Sequence, residues 1–141
     1  ERAREFAANT DDPLPPFVLK VPPDDLSPDQ LSRVVEIAAK YGFSGIEATN
    51  TTINEEIKRR WGLTEAGGVS GEPLRELATQ RIREMRDAAR EHRIDLVGVG
   101  GISQAGHAEE KREAGARAVQ IYTGLVFRGP TPIHEILERW R

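Results

Sequence analysis

Residues 97–124 hold two short apolar runs, Val97-Gly98-Val99-Gly100-Gly101-Ile102 and Ala118-Val119-Gln120-Ile121-Tyr122-Thr123-Gly124. A stretch of helical composition over 104–114 and then Gly115-Ala116 lie between them. Strand, glycine turn, helix and strand make a βαβ unit, which requires its two strands to run parallel as neighbours. The paired glycines fall where the first strand ends. Without a Cβ they serve either a tight strand-to-helix turn or a close backbone approach to an anion such as a phosphate.

The same alternation runs through the rest of the chain. Residues 1–9 read as the last turns of a helix, broken by a linker with Asp11, Asp12, Pro13, Pro15 and Pro16. Phe17-Val18-Leu19-Lys20-Val21 reads as a short strand ending in Pro22-Pro23-Asp24. Lys20 interrupts its apolar run, either snorkelling from the strand end or meeting an anion or acceptor. Ser27-Pro28-Asp29-Gln30 supplies an N-cap, a proline at the first helical position and a capping-box partner. Leu31, Val34, Val35, Ala38 and Tyr41 then recur at helical spacing up to a stop at Gly42.

A second strand over 45–49 runs into Thr49-Asn50-Thr51-Thr52, four short polar side chains suited to a ligand or to an Asx/ST turn. Residues 53–73 form a long glycine-containing connection, expected to be a functional loop. A helix follows with Leu74, Leu77, Ala78, Ile82, Met85 and Ala89 on one stripe. The next strands are 96–100 and 118–122. The helix between them, carrying Glu109, Glu110, Lys111, Arg112 and Glu113, has only alanines to bury and is expected to pack weakly. Thr131 as N-cap, Pro132 at the first position and Ile133, Ile136, Leu137 and Trp140 on one face mark a final helix. His92, His107 and His134 share no metal-type spacing, so all three read as surface residues and no metal site is expected.

With 141 residues the chain suits one domain. A formal net charge of −3 gives no electrostatic footprint for nucleic acid. No apolar run is long enough to span a membrane, and the lack of cysteine excludes disulfides and thiolate metal sites. The chain opens on Glu1, as expected of a processed product, a fragment or a trimmed piece. Four strands alternate with helices, each strand ending in glycine or small polar residues. Barrels and open α/β sheets both build ligand sites at such ends, and four βα units are half of an eight-fold barrel.

The ordered set Val-Leu-Lys-Val, Ala-Thr-Asn-Thr-Thr, Gly-Gly-Val-Ser-Gly-Glu-Pro-Leu, Gly-Val-Gly-Gly-Ile-Ser, Ala-Gly-Ala, Val-Gln-Ile-Tyr-Thr-Gly and Phe-Arg-Gly-Pro resembles the C-terminal half of dihydroorotate dehydrogenases. The quinone-linked class 2 branch is the nearest, from about Phe17 to the end. The resemblance implies an FMN-dependent (β/α)8 TIM barrel that oxidises dihydroorotate to orotate in pyrimidine synthesis, with a quinone as electron acceptor. Residues 17–141 would supply strands five to eight and residues 1–16 the end of a preceding helix and a linker. Lys20 resembles the lysine at the flavin ring and Thr49 the flavin-contacting threonine. Asn50 and Thr51 resemble the pair holding the pyrimidine, and Gly71 the flavin-contacting glycine. Gly100, Gly101, Tyr122 and Thr123 resemble the FMN phosphate cradle.

The same resemblance puts the general base (a serine in class 2), the first four strands and the membrane-attaching extension upstream of Glu1. It therefore implies a peripheral enzyme on the cytoplasmic side of the inner membrane, inactive as this piece alone. Two departures from the family pattern stand out: Pro22-Pro23 in place of Ala-Pro, with one residue added before the next strand, and Arg112 where an apolar residue faces the barrel. Both predict looser packing. A non-catalytic phosphate- or flavin-binding half-barrel, self-associating through its open strands, is the competing reading.

Overall fold

The computed structural model describes residues 15–140. The expected helix end over 1–9 and the linker as far as Pro13 lie outside the described residues. Four strands form one sheet in the order β1 (Val18–Val21), β2 (Gly45–Ala48), β3 (Asp95–Val99) and β4 (Ala118–Gln120). Every neighbouring pair is parallel, and the register sets Lys20 beside Glu47, Glu47 beside Val97 and Val97 beside Ala118. Strand β1 ends at Val21 as expected, whereas β2, β3 and β4 stop one or two residues short of their expected ends. Thr49, Gly100 and Tyr122 thereby leave the ladder.

Crossovers are made by α1 (Pro28–Lys40), α3 (Arg75–His92) and α4 (Ala105–Ala114). Helix α1 begins as its sequence requires: Ser27 Oγ accepts from the Gln30 amide, and Gln30 Oε1 from the Ser27 amide. Gly42 stops it at φ +75°. Leu31, Val35 and Ala38 are buried, whereas Tyr41, expected on the same stripe, is exposed past the last turn. The main core lies between these helices and the sheet, where Val21, Ile46 and Leu96 meet Leu31, Val35, Ile82 and Met85. A smaller cluster of Ile102, Ala105, Ala108 and Ile136 lies under β4. On the other face of the sheet Val18 and Lys20 are exposed.

Several expectations are corrected. The 53–73 connection carries α2 (Glu55–Arg60) and a 3₁₀ turn (Glu72–Leu74), because Asn54 Oδ1 caps the amides of Glu56 and Ile57. Residues after Tyr122 form a short helix, α5 (Thr123–Arg128), ahead of α6 (Thr131–Arg139). The N-cap of α6 is Pro130, not Thr131, and on its apolar face Ile136 is buried while Ile133 and Leu137 are exposed.

Helix α4 is not weakly packed on alanines alone. Its buried stripe, His107, Ala108, Lys111 and Ala114, includes two polar residues, so His107 is no surface residue. Lys111 has no exposed surface; its ammonium donates to Arg75 O at 2.9 Å and to Thr79 Oγ1 at 2.6 Å, both on α3. The close approach that this needs is possible because β3 has glycine at 98, where a Cβ would stand 2.9 Å from Lys111 Cβ. Arg112 does not face the sheet: it is exposed, with its guanidinium 5.5 Å from the Trp140 ring centroid. The Pro22-Pro23 departure does not loosen the turn after β1 either. Pro23 is fully buried, and Arg81 donates to the carbonyls of Pro23 at 2.7 Å and Leu26 at 3.0 Å.

Candidate functional site

The carboxyl ends of all four strands open on one cleft of about 170 Å³. Its walls include every residue singled out from the sequence: Lys20, Thr49, Asn50, Thr51, Gly71, Gly100, Gly101, Tyr122 and Thr123. They come from five separate stretches of chain, and parallel pairing is what assembles them.

The chain leaving β2 is pinned on both sides. The Thr49 amide donates to Val99 O at 3.0 Å and the Asn50 amide to Val21 O at 2.8 Å. Thr49 is buried, with its hydroxyl on Asn50 O at 2.9 Å, while Asn50 Oδ1 accepts from the Thr51 amide at 2.9 Å. That bond leaves the exposed Asn50 amide nitrogen as a free donor in the cleft lining, while the expected turn falls at Thr52, whose Oγ1 accepts from the Asn54 amide at 3.1 Å. Asp24 then gathers the next step, accepting from Thr52 Oγ1 at 2.5 Å and from the Ile53 amide at 2.8 Å.

A two-bond antiparallel bridge between Thr52 and Val69 draws the far end of the long connection back over the site. Ser70 and Gly71 are delivered by it, and Thr123 Oγ1 donates to Ser70 Oγ at 3.1 Å. Thr51 packs against this returning segment so closely that a Cβ at Gly68 would lie 2.1 Å from Thr51 Oγ1.

At the other end, Gly100 and Gly101 take φ +109° and +74°. A Cβ at Gly101 would stand 2.3 Å from Arg75 Cβ, so this turn is pressed against the start of α3 rather than opened by a missing side chain facing the cleft. The tight-turn reading of the glycines is therefore met, and it is compatible with the second one. Among the described residues, no acceptor meets the backbone amides of Gly100, Gly101 or Tyr122, which line the cleft at the ends of adjacent strands. Unpaired backbone amides at such strand ends are the donors that an anion can take up. Behind the turn, Arg75 Nε lies 2.9 Å from Glu72 Oε1 without hydrogen-bond alignment, and Arg75 Nη1 bonds Glu110 at 3.0 Å.

Charge in the cleft is sparse. Among the described residues Lys20 and Tyr122 are its only titratable lining groups, and Lys20 Nζ is 2.9 Å from Glu47 Oε2 on the next strand. The strongly shifted group lies behind the site: burial lowers the Lys111 pKa from 10.5 to about 7, against a smaller raising effect of Glu110. Sequence reasoning missed Asp24, Ser70, Gln120, His107 and Lys111. Ser70 and Gln120 stood inside quoted motifs and could have been taken with them; His107 and Lys111 had only their helical spacing, hidden in a charged run, and Asp24 had no local signal.

A parallel α/β sheet with a cleft at the carboxyl ends of its strands, mostly apolar in lining but edged by unpaired amides and small hydroxyl side chains, defines an α/β protein of the kind that binds ligands at strand ends. The sequence model of dihydroorotate dehydrogenase matches residues 3–140, and the chain belongs to that family. It is 40% identical over 127 residues to a dihydroorotate dehydrogenase (quinone) of Shewanella loihica, covering 89% of this chain and 37% of that protein. The enzyme of the same description from Bordetella pertussis is 42% identical over 121 residues, covering 85% and 34%. In structure the chain is similar to dihydroorotate dehydrogenase of Eimeria tenella in complex with ferulenol, with TM-score 0.78, 28% identity and coverage of 99% of this chain and 39% of that one. The chain thus spans little more than a third of the length of these relatives.

Proposed function

We propose that this chain is the C-terminal half of an FMN-binding TIM barrel, with β1–β4 as strands five to eight over residues 17–141 and residues 1–16 as the end of a preceding helix and a linker. The complete protein oxidises (S)-dihydroorotate to orotate with a quinone as electron acceptor. The observation that carries this reading is the meeting, in one cleft, of nine motif residues from five stretches of chain. An apolar groove along the free edge of β4, lined by Val119, Ile121, Ile133, Leu137 and Trp140, supports the barrel reading, since a first strand and its helix would cover that side on closure.

The residues present fit FMN at its phosphate end. The free amides of Gly100, Gly101 and Tyr122 would be the neutral donors to a phosphate dianion, joined by the Thr123 hydroxyl once it turns from Ser70 Oγ. Thr49, Gly71 and Lys20 would border the flavin ring. FMN supplies, when bound, the two-electron acceptor of the oxidation. Lys20, steadied by Glu47, would hold positive charge where the flavin gains electron density. Asn50 would present its free amide nitrogen to a substrate carbonyl, and Thr51 would fix the turn that aims it.

A carboxylate or histidine able to take a proton from the substrate is absent among the residues lining the cleft. By the family resemblance the base is a serine, and it comes from the other barrel half. Peripheral attachment through another segment, on the cytoplasmic face of the inner membrane, follows from the class 2 resemblance; no helix among the described residues is long and apolar enough to cross a membrane. The test is dihydroorotate-dependent reduction of a short-chain quinone by the complete protein, with its flavin spectrum recorded. A colourless protein would refute the cofactor. A yellow protein unable to oxidise dihydroorotate would favour the non-catalytic flavin-binding reading.

A further inference from the structure

His107, on α4, is 7% exposed and takes no part in the roles above. Its Nδ1 lies 3.0 Å from Gly101 O and 3.3 Å from Ser103 Oγ, and its Nε2 lies 2.9 Å from the Gln104 side-chain nitrogen. The Ser103 amide donates to Nδ1 in the opposite tautomer, but at 3.4 Å, a longer contact than either the Gly101 or the Gln104 one, and Glu72 Oε2 is 3.7 Å from Nδ1. The two shortest contacts select one tautomer. An amide nitrogen only donates, so Nε2 is the acceptor, and Nδ1 carries the proton that goes to Gly101 O.

Gly101 belongs to the peptide that most needs such an anchor. Two successive glycines at φ +109° and +74° give the turn little stiffness of its own. The Gly101–Ile102 peptide is trans, so its C=O and N–H point to opposite sides. A carbonyl drawn toward His107 sends the Ile102 N–H the other way, and Ile102 lines the cleft. If this peptide turned over, a carbonyl oxygen would face an incoming anion instead.

We propose that His107 is a positioning residue for phosphate recognition: its Nδ1–H holds the Gly101 carbonyl so that the Ile102 amide is aimed at the phosphate of FMN. The inference rests on the FMN reading above and adds to it a residue that never touches the cofactor. Its test uses the complete protein, stripped of flavin and titrated with FMN and with riboflavin, which lacks the phosphate. Wild type is compared with His107→Ala, His107→Asn and His107→Gln. Asparagine offers an N–H near the position of Nδ1; glutamine is nearer to histidine in volume but carries its amide one carbon farther, near Nε2.

His107→Ala should weaken FMN by on the order of 10- to 100-fold, the loss of one donor to a charged acceptor, and leave riboflavin unchanged. His107→Asn should restore FMN binding and His107→Gln should not. Parallel losses for both flavins in His107→Ala, or rescue by glutamine as good as by asparagine, would overturn the role of His107. Wild type binding riboflavin as tightly as FMN would overturn the phosphate reading itself, and this inference with it. Wild type that prefers FMN, with His107→Ala keeping the full preference, would defeat His107 alone. If the alanine variant fails to fold, the asparagine and glutamine pair carries the comparison.

Discussion

Replacing Lys111 by methionine should remove a pH-dependent part of the stability while leaving the fold intact. The ammonium is buried between α3 and α4, where loss of hydration lowers its pKa to about 7, whereas in the unfolded chain it holds its proton up to about 10.5. Between these values the unfolded state binds more protons than the folded one, so stability rises with pH, by at most about 1.4 kcal/mol per unit. Below the folded pKa both states are charged and the burial penalty is fully present; above about 10.5 both are neutral and it is gone.

From about pH 6.5 to about pH 9.5, linkage gives a gain of about 3 kcal/mol for wild type from this group alone. Methionine matches the length of the lysine stem and titrates nothing. Thr79 Oγ1 still donates to Arg75 O at 2.8 Å after the exchange, so no hydroxyl is stranded. Urea unfolding of wild type and Lys111→Met at the two pH values gives the answer, because every other titrating group cancels in the difference between the proteins. The gap between them should change by about 3 kcal/mol in favour of wild type at the higher pH. Two stability curves that run parallel across that range would refute the reasoning and mean that the ammonium is solvated or compensated by a carboxylate.

Lys20→Ala in the complete protein should lower the rate of flavin reduction by ~10²–10³, the loss expected for one preorganised positive group; an unchanged single-turnover rate with flavin bound would reduce Lys20 to a strand-end charge paired with Glu47. Gly101→Ala should destabilise by about 2–4 kcal/mol, through overlap with Arg75 and a left-handed φ, and release flavin as a consequence of moving the turn. Gly106→Ala on α4, where an added Cβ meets nothing within 4 Å, is the control and should be neutral or stabilising in thermal denaturation. The 141-residue chain alone should self-associate at micromolar concentration and oxidise no dihydroorotate, because among the described residues β1 and β4 are open edges and Phe127, Val126 and Leu137 are exposed; a compact monomer in sedimentation would contradict this.

The sequence by itself determined the parts of this protein that depend on neighbours along the chain. Ser27 and Gln30 cap α1 wherever that helix packs, Gly42 ends it, and apolar runs broken by glycine or threonine give four strands whose helical crossovers leave only parallel pairing. The meeting of the nine candidate residues in one cleft was legible for the same reason: each marks the end of a strand or lies in a short motif, and parallel pairing brings such ends together. Their partners were not legible. Asp24 reaches Thr52 and Ile53 across 28 and 29 residues, and Lys111 reaches Thr79 and Arg75 across 32 and 36.

A polar side chain can be buried only where tertiary contacts return the hydrogen bonds that water gave it, and composition carries no record of those contacts. His107, Ala108, Lys111 and Ala114 do keep the spacing of a buried helical face. In the sequence the histidine and the lysine hid that face inside a charged run. Only the packing of α4 against α3, beneath a strand thinned by Gly98, decided that they turn inward.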